Sequence, residues 1–325
     1  MPNICLSSIE ALLSRPVPVS QVVTPATRKR QIQWDALRLD LLDAEISGNK
    51  VYKLLPYLQQ AQRQGAKRLL SFGGCHSNHL HALAAVGKRL GLPTIGIVRG
   101  YAGQPLTPTL ADACDWGMQL HFADKATYRL RYDADFQQQL LARFPQTLLI
   151  PEGGAGATGE IGAAAMVQTL LASVADPPDY ICLASGTGCS FLGMLGCAGL
   201  PEQMQWLVMP ALNNAAEITD KARQVVSRYR WQVLDGYQHG GFAKLSPQLA
   251  RFIVAFQQEQ QIALDPVYTA KLFYAINDLI NHQGIPEGAR VLALHTGGVQ
   301  GMRGMQAKIE RLCAANESEV LHECA

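Results

Sequence analysis

Charge is scarce in this 325-residue sequence: only 17% of its residues are Asp, Glu, Lys or Arg, the net charge is +2, and no basic run interrupts the chain. Nucleic-acid binding needs a concentrated positive footprint, so this near-balance argues against such a partner and for a small molecule. Uncharged apolar spans long enough to cross a bilayer are missing, and the opening "MPNICLSSIEALLSRP" lacks the charged start and apolar stretch of a secretion signal. A cytoplasmic protein with no membrane partner is expected. Paired cysteine motifs are also absent: Cys5, Cys75, Cys114, Cys182, Cys189, Cys197, Cys313 and Cys324 form no CxxC, and a chain of this size buries a core without covalent staples. Free thiols are expected. No internal repeat, low-complexity tract or obvious linker divides the chain, which leaves one or two domains.

What is present is a rhythm. The short β-rich runs "RLLSF", "TIGIV", "QLHFA", "TLLIP", "YICLA", "QWLVM" and "RVLAL" alternate with longer helical patterns such as "KLLPYLQQAQRQG" and "HLHALAAVGKRLG", each closing on Gly. That alternation implies an α/β fold of mostly parallel sheet with helices on both faces. Four polar clusters share one position in the pattern. "GGCHSNH" follows "RLLSF", "EGGAGATG" follows "TLLIP", "SGTGCS" follows "YICLA" and "HTGGVQG" follows "RVLAL". Open parallel sheets bind ligands at the carboxyl ends of their strands, where helix N-termini present free N–H groups, so one cleft fed by several loops is expected.

The cluster "CHSNHLH" admits four readings. Cys75, His76, His79 and His81 repeat no familiar zinc spacing, and no second cluster completes a tetrahedron, so no metal is expected. Ser77 sits between strand and helix like a nucleophile, yet outside a G-x-S-x-G context. As a helix N-cap, Ser77 or Asn78 would account for one polar residue and leave the others unexplained. The preferred reading is a cradle for a planar, anionic ligand, because the other loops ask for the same ligand.

In "YICLASGTGCSFLG", Gly186 and Gly188 let the backbone approach closely, while Thr187 and Ser190 offer hydroxyl donors, as suits a phosphate held without a Walker lysine. A dinucleotide fingerprint would need a third Gly closer than Gly193 and an acid ending the next strand, where "QWLVMPALNN" has none. In "ISGNKVYKLLPYL", Lys50 stands at the start of an apolar-periodic helix. The positive end of the helix dipole disfavours its ammonium and leaves a nucleophilic amine, as Schiff-base chemistry requires; the competing reading is a surface lysine in an electrostatically unfavourable place.

Taken together, "SGNKVYKL", "GGCHSNH", "PEGGAGATG", "SGTGCSFLG", "GGFAKL", "LDPVYTAK" and "HTGGVQG" resemble the 1-aminocyclopropane-1-carboxylate deaminase and D-cysteine desulfhydrase family of pyridoxal 5'-phosphate enzymes, in order and approximate spacing from Ser47 to Gly301. The resemblance implies the tryptophan synthase β-like fold (fold type II) with two open, mostly parallel twisted sheets. It implies a large cofactor-binding domain over 1–50 and 152–325, a small α/β domain over 51–151, and a homodimer. It also implies site roles. Lys50 would form the Schiff base with the cofactor and Lys53 would stand near its phosphate, which the loop of Gly186, Thr187, Gly188, Cys189 and Ser190 would bind. Asn78 would hydrogen-bond the cofactor's phenolate oxygen; Ser77, Asn78 and the N–H of His79 would receive the substrate carboxylate, with Ser77 and Tyr268 closest to the reacting carbons. Cys75, His76 and His81 are left as supporting or packing residues.

Within that family the deaminases typically carry Glu and Leu where this chain has Thr269 and Thr296, whereas the desulfhydrases carry hydroxyl residues. The implied reaction is therefore β-elimination from a small amino acid such as D-cysteine, giving pyruvate, ammonia and sulfide. Ring-opening deamination to 2-oxobutyrate is the alternative enzyme reading, and a cofactor-binding protein with little turnover is the third. Departures from the family pattern fall at Tyr52, His76, Cys189 and in "LRLDLLDAE", around the pocket.

Overall fold

A computed structural model describes residues 4–323, so Cys324 lies outside the described residues; the other seven cysteines are unpaired. The chain builds two sheets. The larger has the order β1 (Val19–Val22), β2 (Gln33–Arg38), β10 (Arg290–His295), β7 (Tyr180–Ser185), β8 (Gln205–Pro210), β9 (Arg230–Val233), and all its pairings are parallel except β1 with β2. The smaller has the order β5 (Met118–Ala123), β4 (Thr94–Arg99), β3 (Arg68–Gly74), β6 (Thr147–Leu149), parallel throughout. This is the two-sheet, mostly parallel α/β architecture that the sequence implied.

Sequence composition explains which strands are central. In β7, β8 and β10 the last five residues are all buried, so these strands read as continuous apolar runs, as expected when helices cover both faces. Registers such as Ile181 with Leu292 and Trp206, and Phe72 with Ile97, stack those runs into the cores of the two sheets. Three strands of the larger sheet escape the pattern. β1 and β9 are four-residue edge strands with polar residues, and β2, "QWDALR", carries an Asp in its middle.

Two helices aim the site. The helix Lys50–Gln64 buries Val51, Leu54, Leu58 and Ala61 along one side and ends at left-handed Gly65. The helix Asn78–Leu90 follows β3 directly, is capped by Ser77, and ends at left-handed Gly91. The loops after β3, β6, β7 and β10 all contribute to one cavity of about 710 Å³. No helix of the described residues is long and apolar enough to cross a membrane.

Candidate active site

Lys50 owes its position to the residues before it. Gly48 has φ +81°, and a Cβ built there would lie 2.1 Å from the carbonyl oxygen of Thr296, so no other residue fits without moving the backbone. The close approach lets the N–H of Asn49 donate to that same carbonyl at 3.3 Å. Lys50 then opens its helix. Its Nζ donates to Asn49 Oδ1 at 3.0 Å, and Asn49 Nδ2 donates to Ser190 Oγ at 3.0 Å, linking the amine to the glycine-rich loop after β7. Loss of hydration, reinforced by the neighbouring charge of Lys53, lowers the Lys50 ammonium to about 7. Near neutral pH a large fraction of this amine is therefore unprotonated and nucleophilic.

Lys53, buried one turn further on, donates to the carbonyl of Gly153. Burial also lowers its ammonium. The loop Gly186 to Ser190 is fixed at both ends: Asn214 Nδ2 donates to the Gly186 carbonyl at 2.8 Å, and Ser190 Oγ accepts from Asn49. Gly188, at φ +91°, turns the chain into the helix Cys189–Leu195, whose first residues line the cavity. Cys189 Sγ donates to the carbonyl of Gly154 at 3.4 Å, and burial pushes its thiol up.

The loop after β3 presents Ser77, Asn78 and His79. Ser77 Oγ accepts from the N–H of Leu80 at 3.2 Å, so it is the helix N-cap, yet its own proton stays available to donate. Asn78 Oδ1 accepts from Gln300 Nε2 at 2.9 Å, and its amide nitrogen hydrogen-bonds Asp265. Asp265 is buried; desolvation pushes its carboxyl up to about 6 against the N–H groups of Tyr268 and Val267 that it accepts at 2.5 and 3.1 Å. His79 is also buried. Ser71 Oγ donates to the carbonyl of Ile150 at 2.8 Å, which leaves it to accept from His79 Nε2 at 2.8 Å, while His79 Nδ1 has no partner. Burial, then Lys53 and Lys50, hold this imidazole well below its ordinary value, so it is neutral.

Tyr268 closes the far side, with Lys50 Nζ 5.9 Å from its ring centroid, and burial drives its phenol far above the usual range. Thr296 lines the cavity. Thr269 does not: its hydroxyl accepts from the N–H of Asp265 at 2.6 Å and is fully buried. Cys75, His76 and His81 lie outside the lining, and His81 pairs with Asp112 at 3.0 Å. Of the residues singled out from sequence, the cavity thus gathers Lys50, Lys53, Ser77, Asn78, His79, Tyr268, Thr296 and the whole Gly186 to Ser190 loop.

Several contributors were not singled out. Asn49 was within a quoted motif, but its bridging role needs the fold. Behind the Thr296 loop, Arg38 grips Asp40 with two bonds of 2.8 and 2.6 Å, and Asp40 Oδ1 lies 3.0 Å from Nδ1 of fully buried His295. Burial would raise Asp40, but the bonds to His295 and Arg38 outweigh it and hold the carboxyl below the usual range.

A family model described as "Pyridoxal-phosphate dependent enzyme" matches residues 36–297. The chain belongs to that family. A Pyrococcus horikoshii protein with a provisional 1-aminocyclopropane-1-carboxylate deaminase name is 28% identical over 81% of this chain and 84% of its own. A D-cysteine desulfhydrase of Klebsiella pneumoniae is 23% identical over 82% of this chain and 86% of its own. Among solved structures, an ACC deaminase homologue superposes with TM-score 0.80 at 24% identity, covering 96% of this chain and 99% of that one. A threonine deaminase from Solanum lycopersicum does so with TM-score 0.67 at 12% identity, covering 95% and 87%.

The residues of this pyridoxal-phosphate-dependent enzyme fit the cofactor. A desolvated amine, a glycine- and hydroxyl-rich loop opening a helix, and a spacious cavity meet at one place.

Proposed function

We propose that this enzyme is a D-cysteine desulfhydrase-like lyase that releases sulfide, pyruvate and ammonia. What supports the reading over ring-opening deamination is Thr296, a neutral hydroxyl on the cavity wall, together with Thr269, whose hydroxyl is occupied by the Asp265 backbone. Neither position offers a carboxylate that would keep a bound pyridine nitrogen protonated, which would favour expulsion of a β-leaving group.

When bound, pyridoxal phosphate supplies the electron sink for the pair left on the α-carbon. The protein supplies the rest. Lys50 Nζ would hold the cofactor and would take the α-proton, a role suited by its lowered pKa. The Gly186 to Ser190 loop and Lys53 would hold the phosphate, and Asn78 would donate to the ring's phenolate oxygen. The N-terminus of the helix Asn78–Leu90 receives the substrate carboxylate through the Ser77 hydroxyl, Asn78 and the N–H of His79. Tyr268, kept protonated by burial, is the acid that assists the leaving thiolate, with Ser77 beside it. We read 51–151, which contains the smaller sheet, as a small domain, and a homodimer as the assembly.

Product identity tests the reading. Sulfide and pyruvate from D-cysteine support it; 2-oxobutyrate from 1-aminocyclopropane-1-carboxylate without sulfide from D-cysteine overturns it in favour of the deaminase, and cofactor binding without turnover overturns both.

A further inference from the structure

The cavity is more basic than the chain around it. Seven basic residues line it against three acidic ones, in a protein that is otherwise nearly neutral. Two of the acidic three are paired: Glu152 accepts from Tyr128 Oη at 2.8 Å and Arg131 Nε at 2.6 Å, and Glu217 accepts from Lys221 Nζ at 2.6 Å; Glu160 is the third. Lys50 and Lys53 are absorbed by the cofactor reading. Arg99, Lys125 and Arg129 are left over. They come from the carboxyl end of β4 and the short helix Lys125–Arg129 after β5, beside the loop that carries Ser77, and none has a carboxylate within ion-pair distance among the described residues.

All three are solvent-exposed side chains of the cavity lining, free to meet an anion that enters it. We propose that they recognise a substrate whose side chain ends in an oxyanion, such as a phosphate or sulfate ester. This rests on the lyase reading and adds to D-cysteine a second class of substrate for the same β-elimination. The α-carboxylate would sit at Ser77 and Asn78, and the second anionic group would reach Arg99 and Arg129, whose guanidinium forks match tetrahedral oxyanions, with Lys125 as a third donor.

The same cations suit the departing group. In β-elimination from O-phosphoserine the α-proton is removed and the Cβ–O bond breaks, its electron pair leaving on phosphate. Addition of water to the remaining enamine gives pyruvate and ammonia, so serine phosphate plus water balances to pyruvate, ammonia and inorganic phosphate with no oxidant. The anion that leaves is more charged at its bridging oxygen than the bound ester, so cations near it favour the products' side of the step.

The test uses the holoenzyme and both enantiomers of O-phosphoserine and O-sulfoserine, with D-cysteine and β-chloroalanine as uncharged substrates, the latter controlling for leaving-group ability. Keto acid is assayed in the wild type and in Arg99→Gln/Arg129→Gln. In parallel, calorimetry on Lys50→Ala measures binding of each amino acid at low and high salt. The expected result is a kcat/KM for one charged ester at least tenfold above that for β-chloroalanine, a fall of that ratio by at least tenfold in the double variant, and binding that weakens with salt. Turnover of the neutral substrates with a ratio unchanged by the double variant would overturn the oxyanion while leaving the lyase intact. No keto acid from any substrate would instead overturn the lyase reading itself. Phosphate and sulfate esters accepted alike would identify charge as the recognised feature; one accepted alone would narrow it to that ester.

Discussion

Replacing Gly48 by Ala isolates the contact that seats Lys50. At φ +81° an L-residue with a side chain pays the left-handed penalty of about 1–2 kcal/mol. Its Cβ would also meet Thr296 O at 2.1 Å, Thr296 C at 2.8 Å and Gly297 Cα at 3.0 Å, all backbone atoms that cannot rotate away. Relieving that overlap means parting the Lys50 helix from the Thr296 loop, an overpacking cost of about 1–3 kcal/mol or more. The control lies on the same helix: Gly65 has φ +65° with nothing within 4 Å of a built Cβ, so Gly65→Ala carries the conformational penalty alone. Denaturant unfolding of the apoprotein should place Gly48→Ala about 2 kcal/mol or more below Gly65→Ala, and the first should also lose cofactor absorbance at saturating pyridoxal phosphate while the second retains it. Equal destabilisation of the two, with full cofactor occupancy in both, would refute the tight seating of Lys50 against Thr296.

Other consequences are as direct. With its ammonium lowered to about 7, Lys50 becomes nucleophilic as pH rises through neutrality, so cofactor uptake by stripped protein should rise with a midpoint near 7; a midpoint near the ordinary lysine value of about 10.4 would contradict the desolvated site. Asp40→Asn strands Arg38 and His295 in the interior and should lower stability by about 3–5 kcal/mol. Because the Asp40 carboxyl is held low, wild-type stability from this residue is present above the ordinary aspartate pKa and is lost as pH falls through the depressed one; unfolding midpoints against pH should show that loss in wild type and less of it in Asp40→Asn. Tyr268→Phe should keep the cofactor yet lower kcat by about 10²–10⁴, and an unchanged kcat would remove Tyr268 as the proton donor.

Much of the fold is legible because central parallel strands are buried on both faces and so stand out as apolar runs, as "YICLA" and "RVLAL" do. Strand β2 is not, because Asp35 interrupts it and its pairing partner β10 lies more than 250 residues away in sequence. The cavity loops are legible for the same reason as their strands: glycine and hydroxyl residues cluster where strands end. The Arg38, Asp40 and His295 network, the seating of Asn78 by Gln300 and Asp265, and the cation wall are not, since each joins distant segments through geometry alone. Thr269 shows the reverse. Its neighbour in sequence lines the cavity, but as the first residue of the helix Thr269–Asn281 it turns its hydroxyl back onto the preceding loop.

The most direct measurement is the visible absorption spectrum of the purified protein and of Lys50→Ala, recorded during titration with D-cysteine, L-cysteine and 1-aminocyclopropane-1-carboxylate while sulfide and keto acids are assayed. A yellow Schiff base lost in Lys50→Ala, with sulfide and pyruvate formed from D-cysteine, is the expected result. A protein that takes up no pyridoxal phosphate, or one whose yellow form survives in Lys50→Ala, would contradict the assignment of Lys50 at its root.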